Sequence, residues 1–113
     1  MKYTLPRPPS VNGLFISAGK FRAKSPAYRM WIEQAEKHLL IQKIKVFQGP
    51  VAISLTIEDI GRGDLDNLYK AVSDLLVKHG VISDDNRPIV RKISMAWGAV
   101  KGCEVEIMPH EVG

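Results

Sequence analysis

Between residues 51 and 76 the hydrophobic period changes once, and that switch narrows the fold more than any other feature. Val51, Ile53, Leu55 and Ile57 alternate with Ala52, Ser54, Thr56 and Glu58, the period-two signature of a half-buried strand. A glycine-rich turn follows over 59–63. From Asp64 onward Leu68, Ala71, Val72, Leu75 and Leu76 recur at helical spacing, and Asp66, Lys70 and Asp74 fall on the opposite face. Gly80 is the natural stop for that helix. A strand that feeds a helix through a short turn predicts layered α/β packing.

The flanking sequence extends this pattern. Lys2 to Leu5 alternate as a short first strand, which Pro6, Pro8 and Pro9 end because proline donates no ladder hydrogen bond. Ser10 to Gly13 reads as a turn, and Leu14-Phe15-Ile16 as a strand or a buried loop. Residues 17–26 (SAGKFRAKSP) are small, polar and basic, and are expected to form a mobile loop. Phe21 stands there among Lys20, Arg22 and Lys24. One reading is an arm that grips phosphate while Phe21 stacks on an exposed base; the other is a solvated loop with one tucked aromatic. Ser25-Pro26 is a helix start, with Ser as N-cap and Pro at the first position. That helix should run to about Gln42, with Trp31, Ile32, Ala35 and Leu39 as its buried stripe. Ile89, Ile93, Met95 and Trp97 mark a later strand interrupted by Arg91. Cys103, Val105 and Ile107 mark a last strand, expected to hairpin onto it through the turn that holds Lys101. The predicted class is therefore α/β (α+β): a mixed β-sheet with two main helices packed on one face, in the order β-α-β-α-β-β, within a single domain over 1–113.

The central helix is bracketed by acids. Asp64 and Asp66 open it, Asp84 and Asp85 lie beyond it, and Lys70 stands between. Crowded carboxylates repel one another, and a hard divalent cation relieves the repulsion. Mg²⁺ is usually held by one or two carboxylates together with substrate phosphates. The same aspartates have a simpler reading as helix caps placed at the positive end of the dipole. A helix of thirteen residues is about 20 Å long, so Val81 to Ser83 alone do not bring the second acidic pair back to the first. Either the chain runs back alongside the helix or the pair meets a site on another chain. The remaining candidates carry less. His38, His79 and His110 show no ligand spacing, and Asp74 is placed to pair with Lys70 or Lys78. The single Cys103 excludes an internal disulfide and a cysteine-rich zinc site, and reads as a small apolar strand residue.

Charge is divided unevenly. Residues 1–50 carry nine Lys/Arg against Glu33 and Glu36, a net +7, while residues 51–113 carry seven against ten, a net −3; the whole is +4. A basic half beside an acidic half points to a polyanionic partner for the first. No apolar run approaches the roughly 18 residues needed to span a bilayer, and the N-terminus has no apolar core of signal-peptide length. A cytoplasmic protein with no membrane partner is expected.

The segment GDLDNLYKAVSDLLVKHGVISDD resembles the RusA family of Holliday-junction resolvases, found in bacteria and their prophages. The run Asp-Leu-Asp-Asn-Leu-x-Lys lies at Asp64 to Lys70, followed at matching spacing by Gly80 and Asp84-Asp85. Leu-Pro-x-Pro-Pro-Ser-x-Asn at Leu5 to Asn12, Ala-Tyr-Arg at Ala27 to Arg29, and the Lys101-Gly102 turn extend the likeness over nearly the whole chain. The resemblance implies a homodimer that binds four-way junction DNA and nicks two strands symmetrically, in recombination and repair. It implies Mg²⁺, with Mn²⁺ as a substitute. It assigns catalytic roles to Asp64, Asp66, Lys70 and Asp85, with Asp64, Asp66 and Asp85 as metal ligands and Asp84 as the alternative to Asp85. Asn67 would orient a ligand or is an ordinary surface residue. The cations read as DNA contacts are Arg7, Lys20, Arg22, Lys24, Arg29, Arg62 and Lys101. One departure stands out: family members can carry an arginine run before the first Asp, where this chain has Gly61-Arg62-Gly63. Two other functions use the same residues. One is a non-catalytic basic DNA-binding module with the aspartates as caps; the other is a metal nuclease for other branched DNA.

Overall fold

The computed structural model describes residues 2–19 and 21–110. In chain order the elements are β1 (Lys2–Leu5), β2 (Phe15–Ala18), β3 (Phe21–Lys24), α1 (Pro26–Ile41), β4 (Val51–Glu58), α2 (Tyr69–Lys78), β5 (Val90–Gly98) and β6 (Cys103–Pro109). Short 3-10 turns occupy Val11–Gly13 and Leu65–Leu68.

β4 lies inside the sheet, with a neighbour on each edge. Its odd-numbered residues Val51, Ile53, Leu55 and Ile57 are buried, and their alternates are half-buried. The four-stranded sheet runs β1-β6-β4-β5, with β6 antiparallel to both β1 and β4, and β5 parallel to β4. The buried residues of β4 and β6 share one core with Trp31, Ala35 and Leu39 of α1 and Ala71, Val72, Leu75 and Leu76 of α2. Each fully buried Leu or Ile there stabilises the fold by about 1.5–3 kcal/mol, which is what draws both amphipathic helices onto the sheet. Ser25 caps α1 as its type predicts, its hydroxyl accepting from Tyr28 N at 3.1 Å. At the other end Gln42 turns out of the helix and pairs with the edge of β1. Its Oε1 accepts from Thr4 N at 2.7 Å, and its Nε2 donates to Thr4 O at 2.9 Å.

Three expectations need correction. β5 and β6 are not a hairpin: β6 inserts between β1 and β4, while β5 takes the far edge. The segment between them crosses the end of β4, where Asp59 N donates to Gly98 O at 3.3 Å and Glu58 N to Gly102 O at 2.9 Å. The burial of the two strands explains the choice. Cys103, Val105 and Ile107 are fully buried, whereas Ile93 is 47% exposed, as suits an edge strand that also carries Arg91 and Lys92. Residues 15–18 and 21–24 pair as antiparallel strands where a mobile loop is expected, with Phe15 opposite Lys24 and Ala18 opposite Phe21. The order therefore gains two strands between β1 and α1. Finally, the helix after Asp64 begins as a 3-10 turn, and α2 proper has ten residues, about 15 Å.

The parallel β4–α2–β5 crossover sets the position of the acidic segment. It places residues 59–68 beyond the carboxyl end of β4, the location where open α/β sheets form their ligand crevices.

Candidate active site

The chain leaves β4 at Glu58 and turns through Gly61 (φ +74°) and Gly63 (φ +122°), conformations open mainly to glycine. This brings Asp64 to the N-cap position of the 3-10 turn, with Asp66 in its first turn. The carboxylate of Asp64 does not cap; only its backbone oxygen is used, accepting from Asn67 N at 3.1 Å. Both aspartates are exposed, and neither has a side-chain hydrogen bond or ion pair among the described residues. Capping therefore does not account for them. Among the described residues, two carboxylates two residues apart stand in solvent with no ion-pair partner.

Lys70 lies in the first turn of α2. Its Nζ is 3.0 Å from Asp74 Oδ1 and 3.8 Å from Asp85 Oδ2. The hydrogen bond to Asp74 holds its pKa above the usual lysine value, with Asp85 adding to that, so the group is cationic at neutral pH. Asp85 reaches Lys70 because the chain doubles back after Gly80. Val81 and Ile82 are fully buried, Val81 N donates to Leu76 O at 2.9 Å, and Phe47 N donates to Val81 O at 2.9 Å. The two members of the distal pair differ. Asp84 accepts from Asp85 N at 2.7 Å and from Asn86 Nδ2 at 3.0 Å, so it folds its own loop. Beside them the Tyr69 hydroxyl is buried without a partner, and burial, then Asp85, push its pKa up to about 12. Tyr69 belongs to the acidic motif run, yet residue type alone did not single it out.

Among the described residues of one chain, no three His, Cys, Asp or Glu side chains gather closely enough to hold a metal ion. The donor chemistry nevertheless suits Mg²⁺. Asp64 and Asp66 offer oxygen ligands only, and one or two carboxylates completed by substrate phosphate is the ordinary arrangement for that ion.

The cations are distributed in several ways. Lys20 lies outside the described residues. Arg22 stacks over Phe15 at 4.8 Å, Phe15 meets Tyr28 edge-on at 6.0 Å, and Phe21 is 77% exposed. Under this hairpin a cleft of about 250 Å³ opens between β2–β3, α1 and α2, with Lys24, Tyr28, Asp74 and Lys78 on its walls. Burial, then Asp74, raises the pKa of Tyr28, partly offset by Lys70. The basic hairpin and the Lys70–Asp74 pair thus border one cleft. Arg29, Arg62 and Lys101 are exposed and form no ion pair among the described residues. Arg7 differs from all of these: its Nη2 donates to Ile60 O at 2.9 Å and its guanidinium lies over Trp97 at 5.8 Å. Several other titratable groups serve the fold. His79 and Lys78 both contact Glu36 Oε2, at 2.7 and 3.3 Å, and join α2 to α1. Cys103 is a buried free thiol, its pKa raised to about 12 by burial and then by Glu104.

Comparison with known proteins bears on the chain as a whole. Residues 6–108 match the family model described as Endodeoxyribonuclease RusA. Proteins named crossover junction endodeoxyribonuclease RusA from Shigella sonnei (strain Ss046) and Escherichia coli (strain K12) are each 30% identical, over 97% of this chain and 93% of their own. The protein of that name from Enterobacteria phage HK97 is 25% identical over 93% of this chain and 95% of its own.

Proposed function

The chain belongs to the RusA family of endodeoxyribonucleases, and on that premise we propose that it is a Mg²⁺-dependent endonuclease that resolves four-way DNA junctions by paired symmetric nicks, as a homodimer. The observation that carries this reading is the state of Asp64 and Asp66. They are exposed and, among the described residues, unpaired, the Asp64 carboxylate does not cap, and the ammonium of Lys70 lies further along the same helical segment. A DNA-binding module that used its aspartates only as caps would engage the Asp64 carboxylate with the helix N-terminus, and it is not so engaged.

Mg²⁺ held by Asp64 and Asp66 and completed by substrate phosphate would polarise the scissile phosphate and make water a stronger nucleophile at neutral pH. Asp85, the further ligand that the resemblance implies, does not gather with those two among the described residues of one chain and lies beside Lys70 instead. The chain's own groups do the rest. Lys70, kept protonated by Asp74 and Asp85, faces the negative charge that grows on the phosphate and the leaving oxygen. Two carboxylates also restrain its ammonium, so little reorganisation is left at the moment of reaction. Arg22, Lys24, Arg29, Arg62 and Lys101 contact phosphates and set the salt dependence of binding. A two-fold dimer presents one site to each of two strands, matching the symmetry of the junction.

Asp66→Asn tests the reading. A synthetic four-way junction should still bind, while Mg²⁺-dependent nicking is lost. Unchanged cleavage by a pure sample would remove Asp66 from the chemistry. Wild-type protein that binds junctions but never cuts them with Mg²⁺ or Mn²⁺ would make it a binding module. Equal cutting of junction, flap and linear duplex would make it a general metal nuclease.

A further inference from the structure

The five residues that carry the chain from β4 to Asp64 have little to hold them. All of them are exposed, and Gly61 and Gly63 lie at positive φ. Their own backbone bonds are Asp59 N to Gly98 O at 3.3 Å and Ile60 N to Glu58 O at 2.9 Å. A glycine-rich turn has much conformational freedom to lose, and here it must deliver two carboxylates to fixed positions. One side chain from elsewhere holds it: Arg7 Nη2 donates to Ile60 O at 2.9 Å. Among the described residues this is the one side-chain hydrogen bond made to 59–63.

Arg7 is itself anchored. Its guanidinium lies over the Trp97 ring at 5.8 Å, and its Nε is buried without a partner. The carbonyl before it, Pro6 O, accepts from Trp31 Nε1 of α1 at 3.0 Å. The guanidinium also lies beside the turn at residue 61, where a Cβ would stand 3.9 Å from Nη2. An arginine suits this place because its planar head can lie on an aromatic face and donate in its own plane at once.

We infer that Arg7 is a positioning residue: it ties the N-terminal segment to the Ile60 carbonyl and thereby holds the turn that aims Asp64 and Asp66. Its charge is used on the protein and not on DNA. The inference rests on the reading of Asp64 and Asp66 as the working carboxylates.

Two variants test it, Arg7→Lys, which keeps the charge, and Arg7→Met, which keeps the bulk. Three quantities are measured: junction affinity across a salt series without metal, cleavage at saturating protein, and amide exchange at Asp59 and Ile60. A positioning role predicts wild-type affinity and salt slope in both variants. Cleavage at saturation falls about 10- to 100-fold, the scale of a small misplacement. The two amides exchange about tenfold faster. A salt slope smaller by about 0.9 in Arg7→Met, restored in Arg7→Lys, would instead make Arg7 a phosphate contact and overturn the inference. Unchanged exchange in both variants would overturn it as well. If Arg7→Met does not fold, Arg7→Lys carries the exchange and cleavage readouts. Failure of the nuclease reading would appear in the wild-type protein, which would then leave the junction uncut, while exchange at Asp59 and Ile60 still decides the clamp.

Discussion

Gly61 and Gly102 share one backbone conformation, φ +74°, in very different surroundings. A Cβ at Gly61 would meet only Arg7 Nη2, at 3.9 Å; at Gly102 it would stand well under 3.0 Å from Leu5 O, with Arg7 N and Pro6 Cα at 3.4 Å. The left-handed conformation costs alanine about 1–2 kcal/mol at either site. The clash is added only at Gly102, and its partner is backbone. Leu5 is the last residue of β1, 2% exposed and paired with Cys103, so its carbonyl cannot swing aside as a side chain does. Relief means moving that strand end by about 1 Å, at the 1–3 kcal/mol typical of overpacking. The alternative is to loosen the bonds Gly102 makes with Glu58, worth about 1 kcal/mol each. These are Gly102 N to Glu58 Oε1 at 2.7 Å and Glu58 N to Gly102 O at 2.9 Å. Gly61→Ala should therefore cost about 1–2 kcal/mol and Gly102→Ala about 2–5 kcal/mol. At roughly 4 °C per kcal/mol for a chain of this size, the 1–3 kcal/mol of clash should set the two melting points about 4–12 °C apart. Thermal melts followed by circular dichroism in one buffer measure this directly, and the shared φ cancels in the comparison. Melting points within about 3 °C of each other would refute the close approach, and with it the seating of Pro6 and Arg7 on which the clamp depends.

Other outcomes follow from the same geometry. Lys70→Met removes the cation beside Asp74 and Asp85; cleavage at saturating protein should fall about 10²- to 10³-fold with junction affinity nearly unchanged, and a wild-type rate would remove Lys70 from the chemistry. Glu36 is pushed up by burial but pulled further down by its bonds to His79 and Lys78, so its pKa ends below the ordinary 4.5. A depressed carboxyl contributes stability above its unfolded pKa and loses it as pH falls through the folded one. In urea unfolding, wild type should exceed Glu36→Gln at pH 6, and the gap should close as pH drops below about 4.5; a gap independent of pH would contradict the pairing. Phe21 is 77% exposed, so Phe21→Ala should change stability by less than about 0.5 kcal/mol while weakening junction binding by about 1–3 kcal/mol if a base stacks on it; unchanged affinity would exclude that role.

Periodicity made β4, α1 and α2 legible because each buries one regular stripe, and burial is what period reports. It could not report which strand lies beside which. β5 paired to β6 and β5 paired to β4 bury much the same alternating residues, so hydrophobic pattern alone does not separate them. Charge does: Arg91 and Lys92 interrupt β5 as they would an edge strand, whereas Cys103, Val105 and Ile107 suit a strand with neighbours on both sides. The hairpin β2–β3 was obscured for a different reason. Its large apolar residues Phe15, Ile16 and Phe21 are exposed and the rest are small or basic, so no buried alternating stripe marks its backbone pairing in the sequence.

At the site, residue type pointed to Asp64, Asp66, Asp84 and Asp85 with Lys70 between them, the resemblance narrowed the acids to Asp64, Asp66 and Asp85, and spacing left the two acidic ends too far apart. The straight thirteen-residue helix behind that difficulty is a 3-10 turn followed by ten residues. Val81 and Ile82 then enter the core at once and turn the chain back along α2, and the long side chain of Lys70 covers the remaining gap to Asp85. Hydrophobic residues thus decide where a charged one ends up. The same logic separates the cations. Lys37 pairs with Glu33 at 3.5 Å and Arg7 binds a carbonyl, so the count of nine Lys/Arg in the first half overstates how many are free of partners on the protein. Composition reports the sign of a charge, but packing decides its partner. The Gly61-Arg62-Gly63 turn before the first aspartate is exposed and lies at positive φ at both glycines. On the proposed reading Arg7 steadies it from the far end of the sequence, and Arg22, Lys24, Arg29, Arg62 and Lys101 are left as the proposed grip on DNA.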